Sequence, residues 1–79
     1  MRDDQEALSA RELDVLRLIA TGRSSKQIGL LLGIARSTVS THVSTILLKL
    51  GAANRAEAAV IAVGNGIIET PPDVTAELG

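Results

Sequence analysis

Apolar residues recur along this chain at helical spacing, and each apolar run is closed by glycine. Leu13, Leu16 and Ile19/Ala20 form one stripe that stops at Gly22. A short run from Ile28 to Leu32 stops at Gly33, and Val39, His42, Val43, Ile46 and Leu50 follow at i, i+3, i+4, i+7 and i+11 before Gly51. The last run, Ala58 to Val63, is apolar throughout. No period-two alternation and no internal repeat interrupts the pattern. It predicts an all-α fold, a bundle of four helices at about 10–21, 25–32, 36–50 and 55–64.

The starts of these helices are marked as clearly as their ends. Ser9-Ala10-Arg11-Glu12 and Ser24-Ser25-Lys26-Gln27 have capping-box spacing, in which a serine hydroxyl and a carboxylate or amide three residues on satisfy each other's backbone amides. Asn54-Arg55-Ala56-Glu57 repeats the spacing with asparagine as the cap. Glycine just past a helix supplies the left-handed conformation that closes it. Residues 1–7 and 69–79 lack periodicity and contain Pro71-Pro72, so a flexible N-terminal arm and a disordered acidic tail are expected to flank a domain at 8–68.

The helix at 36–50 raises a question of its own. Ser37, Thr38, Ser40, Thr41, Ser44 and Thr45 crowd its first three turns, although hydroxyl side chains compete for backbone hydrogen bonds and are mediocre helix formers. Packing of the inward residues must override that propensity. The outward positions are then Ser37, Ser40, Thr41, Ser44, Thr45 and Leu48.

Charge narrows what such a face could meet. The net charge of −1 conceals a segregation: residues 1–6 carry −2, residues 69–79 carry −3, and residues 7–68 carry +4. A basic body suits a polyanion. Aromatic residues are absent, which counts against single-stranded nucleic acid, usually held by base stacking on aromatic rings. The chain has no cysteine and one histidine, so thiolate and multi-histidine metal sites are excluded and no cofactor is implied. There is no nucleophile–base pair, paired-carboxylate site or phosphate-cradling glycine loop, and an enzyme is not expected. No apolar run approaches the roughly 20 residues that span a bilayer, and no signal-peptide pattern opens the chain, so a soluble, cytoplasmic protein is expected.

Between the second and third helices the spacing fits a helix-turn-helix, in which two helices cross steeply about a tight turn. Gly33 suits the turn, Gly29 allows close approach four positions earlier, and Ile28, Leu32, Ile34 and Val39 plug the angle from both sides.

Leu8-Ser9-Ala10-Arg11-Glu12, Val15-Leu16-Arg17-Leu18-Ile19-Ala20-x-Gly22, Lys26-x-Ile28, Leu32-Gly33-Ile34, Thr38-Val39-x-x-His42, Ile46-Leu47-x-Lys49-Leu50-Gly51 and Asn54-Arg55-Ala56-Glu57-Ala58 together resemble the LuxR-type DNA-binding domain, also called the GerE or NarL/FixJ effector domain. The resemblance covers residues 8 to about 68 and touches every helix. It implies a four-helix bundle that binds duplex DNA as a dimer and regulates transcription, most often at the C-terminus of a receiver or ligand-sensing protein. No such sensor accompanies it here, so the chain reads as a stand-alone member or a fragment of a longer regulator.

The resemblance implies that helix 36–50 enters the major groove, with Ser40, Thr41 and Ser44 at the bases and Thr38 near the backbone. The sequence departs from the family pattern at Ser40, where lysine is usual, at Leu48, where arginine or lysine is usual, and at Ala35, where serine usually caps the helix. Ser37 or a less ideal start must then satisfy the free amides, and Ser37 is expected to lie near phosphate. Hydroxyls release no counterions, so affinity is expected to rest on Arg23, Lys26, Arg36, Lys49 and Arg55, which flank the reading face. Three or four phosphate contacts per subunit of a dimer give a slope of log affinity against log salt of roughly −5 to −7. Arg17 and His42 read as structural, the latter as a packed, hydrogen-bonded core histidine.

The fourth helix can bury only one stripe against so small a core, and the other invites a second copy; Ala59, Val60 and Val63 are the expected homodimer contacts. Leu30, Leu31 and Leu48 stand where the family more often has polar or basic residues and suit a second subunit, RNA polymerase or a missing sensor or receiver domain, although Leu31 equally suits a gap in the core. The rival reading is a degenerate helix-turn-helix kept as a protein-interaction or dimerisation module.

Overall fold

The structure is a computed structural model that describes residues 7–68. It consists of four helices, α1 (Ala10–Ala20), α2 (Ser25–Leu32), α3 (Arg36–Leu50) and α4 (Arg55–Gly64), with no strand among the described residues. The fold class and all four helices agree with the pattern in the sequence, α1 ending one residue earlier than expected because Thr21 serves as its C-cap. Most of the expected N-terminal arm and the whole acidic tail lie outside the described residues.

Local chemistry sets the boundaries. Ser9 and Glu12 form a complete capping box, with Glu12 N donating to Ser9 Oγ at 3.1 Å and Ser9 N to Glu12 Oε1 at 2.9 Å. Ser24 and Gln27 repeat it at the same two distances. At α4 the box is offset: Glu57 N donates to Asn54 Oδ1 at 2.8 Å, while the Glu57 carboxylate accepts from Ala53 N rather than from the cap residue itself. Helix α3 is preceded by Ala35 as its N-cap residue, which has cap geometry and no side chain able to accept a hydrogen bond.

The core is a single cluster of Val15, Leu16, Ile19, Ile28, Val39, Ile46, Ala58, Ala62 and Ile68. On α1 the buried stripe runs through Glu12, Val15, Leu16 and Ile19. Leu13, expected on that stripe, is only half-buried, because Glu12 occupies the inward position one residue earlier. On α3, Val39 and Ile46 are fully buried, and His42, Val43, Leu47 and Leu50 are half-buried around them. The expectation of a hydrogen-bonded His42 is not met: among the described residues its imidazole has no hydrogen-bond partner, and it packs as a half-covered ring.

The angle between α2 and α3 is 110°, within the range that defines a helix-turn-helix. Gly33 closes α2 at φ +71°, a conformation that side-chain-bearing residues rarely adopt. The Gly29 carbonyl accepts from both Gly33 N, at 2.8 Å, and Ile34 N, at 3.0 Å. A Cβ at Gly29 would stand 2.8 Å from the Ile34 carbonyl oxygen, so only glycine lets the turn fold back this closely. The small residue expected at this position is therefore demanded by the backbone rather than by side-chain packing.

Candidate nucleic-acid interface

The turn delivers α3 with its hydroxyl-rich side outward. Ser37, Thr38, Ser40, Thr41, Ser44 and Leu48 are exposed, as expected; Thr45, expected outward with them, is half-buried. The two threonines of the central turns are already engaged: Thr41 Oγ1 donates to Ser37 O at 3.2 Å, and Thr45 Oγ1 to Thr41 O at 3.1 Å. At the start of α3, Thr38 N and Val39 N both reach Ala35 O, which leaves the amides of Arg36 and Ser37 facing outward without a cap.

Five cations were expected to flank this face, and the structure divides them. Arg23, Lys26 and Arg36 are exposed and have no ion-pair or side-chain hydrogen-bond partner among the described residues. They sit at the N-terminal ends of α2 and α3, where helix dipoles add positive potential.

Lys49, expected beside the reading face, is engaged within the fold. Its ammonium lies 2.8 Å from Glu12 Oε1 and 3.0 Å from the Ala7 carbonyl, bolting the end of α3 to the start of α1. Glu12 is 7% exposed, the one charged residue in the buried set. The hydrogen bond from Lys49 pulls the Glu12 carboxyl below its ordinary range; burial opposes this, and the Ser9 amide and the Lys49 charge reinforce it. These bonds tie Lys49 to the fold.

Arg55 is half-committed. Its guanidinium donates to Ser25 Oγ at 3.1 Å and to the Arg23 carbonyl at 2.9 Å, tying the start of α4 to the start of α2. The remaining N–H groups of its five-donor fork keep it available beside Arg23. Arg17 pairs with Asp14 at 3.7 Å, in keeping with a structural role.

The family model for bacterial regulatory proteins of the luxR family matches residues 6–62. The chain belongs to the luxR family. This luxR-type chain is 46% identical over 63 residues to the transcriptional regulatory protein LiaR of Bacillus subtilis, covering 80% of the chain and 30% of LiaR. It is 45% identical over 60 residues to the transcriptional activator protein PhzR of Pseudomonas fluorescens, covering 76% of the chain and 25% of PhzR. With SolR of Ralstonia nicotianae, also a transcriptional activator, identity is 41% over 66 residues, 84% of the chain and 28% of SolR. The chain thus spans about a third or less of the length of these relatives. The luxR family assignment and the helix-turn-helix geometry together make it a DNA-binding domain of the transcriptional-regulator type.

The residues expected at a dimer contact are less uniform than the apolar run suggested. Val60 is 71% exposed, whereas Ala59 and Val63 are half-buried against the chain's own core. The exposed line of α4 runs instead through Ala56, Val60 and Gly64, one turn apart. Leu30, Leu31 and Leu48 are exposed at 76, 57 and 83%, so Leu31 fills no gap in the core. No single helix among the described residues is long and apolar enough to cross a membrane.

Proposed function

We propose that the chain binds duplex DNA sequence-specifically, with α3 in the major groove, as a homodimer on an inverted repeat. The observation that carries this is the exposed face of Ser40, Thr41 and Ser44, set at 110° to α2 and accompanied by Arg23, Lys26 and Arg36, which have no ion-pair partner among the described residues. A groove about 12 Å wide accepts such a helix. In this reading Ser37, Thr38 and the uncapped amides of α3 take the backbone phosphates, supported by their exposure at the start of the helix, and Arg55 braces the Arg23 carbonyl.

The division of labour separates affinity from discrimination. Three free cations per subunit give a dimer salt slope of about −5, the shallow end of what the sequence suggested, because Lys49 no longer contributes. Dimerisation uses Val60 with the small residues Ala56 and Gly64 beside it, and sets two reading helices about one DNA turn apart. The site of action of such a regulator is the bacterial cytoplasm, at the nucleoid when bound.

The exposed Leu30 and Leu31 on α2 favour a protein contact in addition, with RNA polymerase or an attached receiver or sensor domain. Selection of bound duplexes from a random pool tests the main reading. Enrichment of an inverted repeat supports it; no enrichment, with binding insensitive to salt, overturns it in favour of a protein-interaction module.

A further inference from the structure

The hydroxyl-rich face of α3 presents less hydroxyl than its composition suggests. Thr41 and Thr45 donate their hydroxyl protons back to the carbonyls of Ser37 and Thr41, four residues earlier. This bond is the one that fixes a helical threonine's rotamer. It lays each oxygen against the preceding turn and leaves the Cγ2 methyl as the group turned away from that carbonyl. Leu48, 83% exposed, continues the same line, since positions 41, 45 and 48 stand at i, i+4 and i+7. Ser37, Ser40 and Ser44 form a parallel line at i, i+3 and i+7, and their hydroxyls have no partner among the described residues. The face therefore carries a line of free hydroxyls beside a line of methyl groups from the exposed Thr41 and the half-buried Thr45.

We infer that Thr41 and Thr45 read DNA through their methyl groups, and that their complement in the major groove is the C5-methyl of thymine. This rests on the duplex-binding reading above and assigns a chemistry to part of its contact face. Thymine is the base that offers an apolar group in the major groove, and threonine methyls are among its partners. Side chains four apart on a helix are about 6 Å apart at Cβ, and bases of one strand rise about 3.4 Å per step. The pair therefore spans thymines one to two steps apart. The serine stripe beside it takes the polar edges of neighbouring bases.

The test uses the full chain and a duplex selected from a random pool, with deoxyuridine replacing thymine one position at a time. Deoxyuridine lacks only the methyl group, so the protein is left untouched. The expected result is a loss of about fourfold in affinity at one or two positions per half-site, the worth of one buried methyl. Thr41→Val, which keeps the methyl and removes the hydroxyl, should keep its sensitivity to deoxyuridine and bind more tightly than Thr41→Ser. Thr41→Ser, which keeps the hydroxyl, should bind about fourfold more weakly and lose that sensitivity.

Indifference of the wild type to deoxyuridine at every position overturns the inference while leaving duplex binding intact. So does the reverse ranking, with Thr41→Ser tight and Thr41→Val weak. Absence of any duplex binding overturns the functional reading and this inference together.

Discussion

Replacing Lys49 with methionine separates the two roles that this residue could play. Methionine keeps most of the aliphatic stem that packs beside α1 and deletes the charge. If the ammonium serves the fold, the change removes a 2.8 Å charged hydrogen bond to the Glu12 carboxylate and a 3.0 Å bond to the Ala7 carbonyl. Hydrogen bonds to charged groups contribute about 1.5–3 kcal/mol, so a loss of about 2 kcal/mol is expected. In a domain of this size that lowers Tm by roughly 8–16 °C.

The pH dependence has a definite sign. Because the folded Glu12 carboxyl is held below its ordinary value, its contribution is fully present above the unfolded value, about 4.3, and fades as pH falls through the folded one. The stability gap between wild type and Lys49→Met should thus be widest near neutrality and close as the solution is acidified below about pH 4. Thermal melts followed by circular dichroism at several pH values measure it. Binding to random duplex across a salt series supplies the counter-test. The slope should not change, whereas loss of one phosphate contact per subunit of a dimer would make it shallower by about 2. A shallower slope with unchanged Tm would refute the assignment of Lys49 to the fold.

Three further outcomes follow from the geometry. Gly29→Ala drives a Cβ to 2.8 Å from a backbone oxygen that cannot swing aside; the overpacking outweighs alanine's better helix propensity, for a net loss of about 1–2 kcal/mol in denaturant melts, and a stabilised variant would contradict the close approach. Ala35→Ser should raise stability by about 1 kcal/mol, because the position already has cap geometry and lacks only the accepting oxygen; an unchanged midpoint would show that those amides are satisfied in another way. Val60→Asp should leave the fold intact and reduce the complex on an inverted repeat to one subunit per duplex by sedimentation, and two subunits retained at wild-type affinity would rule out α4 as the contact.

Much of the fold was legible because its signals are local. A serine and a glutamate or glutamine three residues apart name a helix start, as at α1 and α2, and a glycine in the left-handed region names an end, as at α2 and α3. Gly29 was legible too, as a small residue at a fixed distance from the turn. What escaped is long-range or rotameric. Glu12 and Lys49 are 37 residues apart, and neither a capping glutamate nor a lysine beside the reading face announces that the two will meet. Whether a helical threonine shows its hydroxyl or its methyl depends on one dihedral angle, and composition does not encode it. The all-apolar run of α4 hid a difference between Val60 and its neighbours Ala59 and Val63 that only the packed core reveals.

The turn at Gly29 has a consequence for how such a regulator can change over time. The tilt of α3 is set by main-chain atoms, through the two amides that share the Gly29 carbonyl and the close pass of the Ile34 oxygen. Ser37, Ser40, Thr41 and Ser44 stand outside that arrangement and outside the core. Substitutions at such exposed positions usually alter stability by no more than about 0.5 kcal/mol. On the proposed reading of these positions, mutation can rewrite the recognised sequence one position at a time while the angle of presentation stays fixed, and operator preference is free to drift on an unchanging mount.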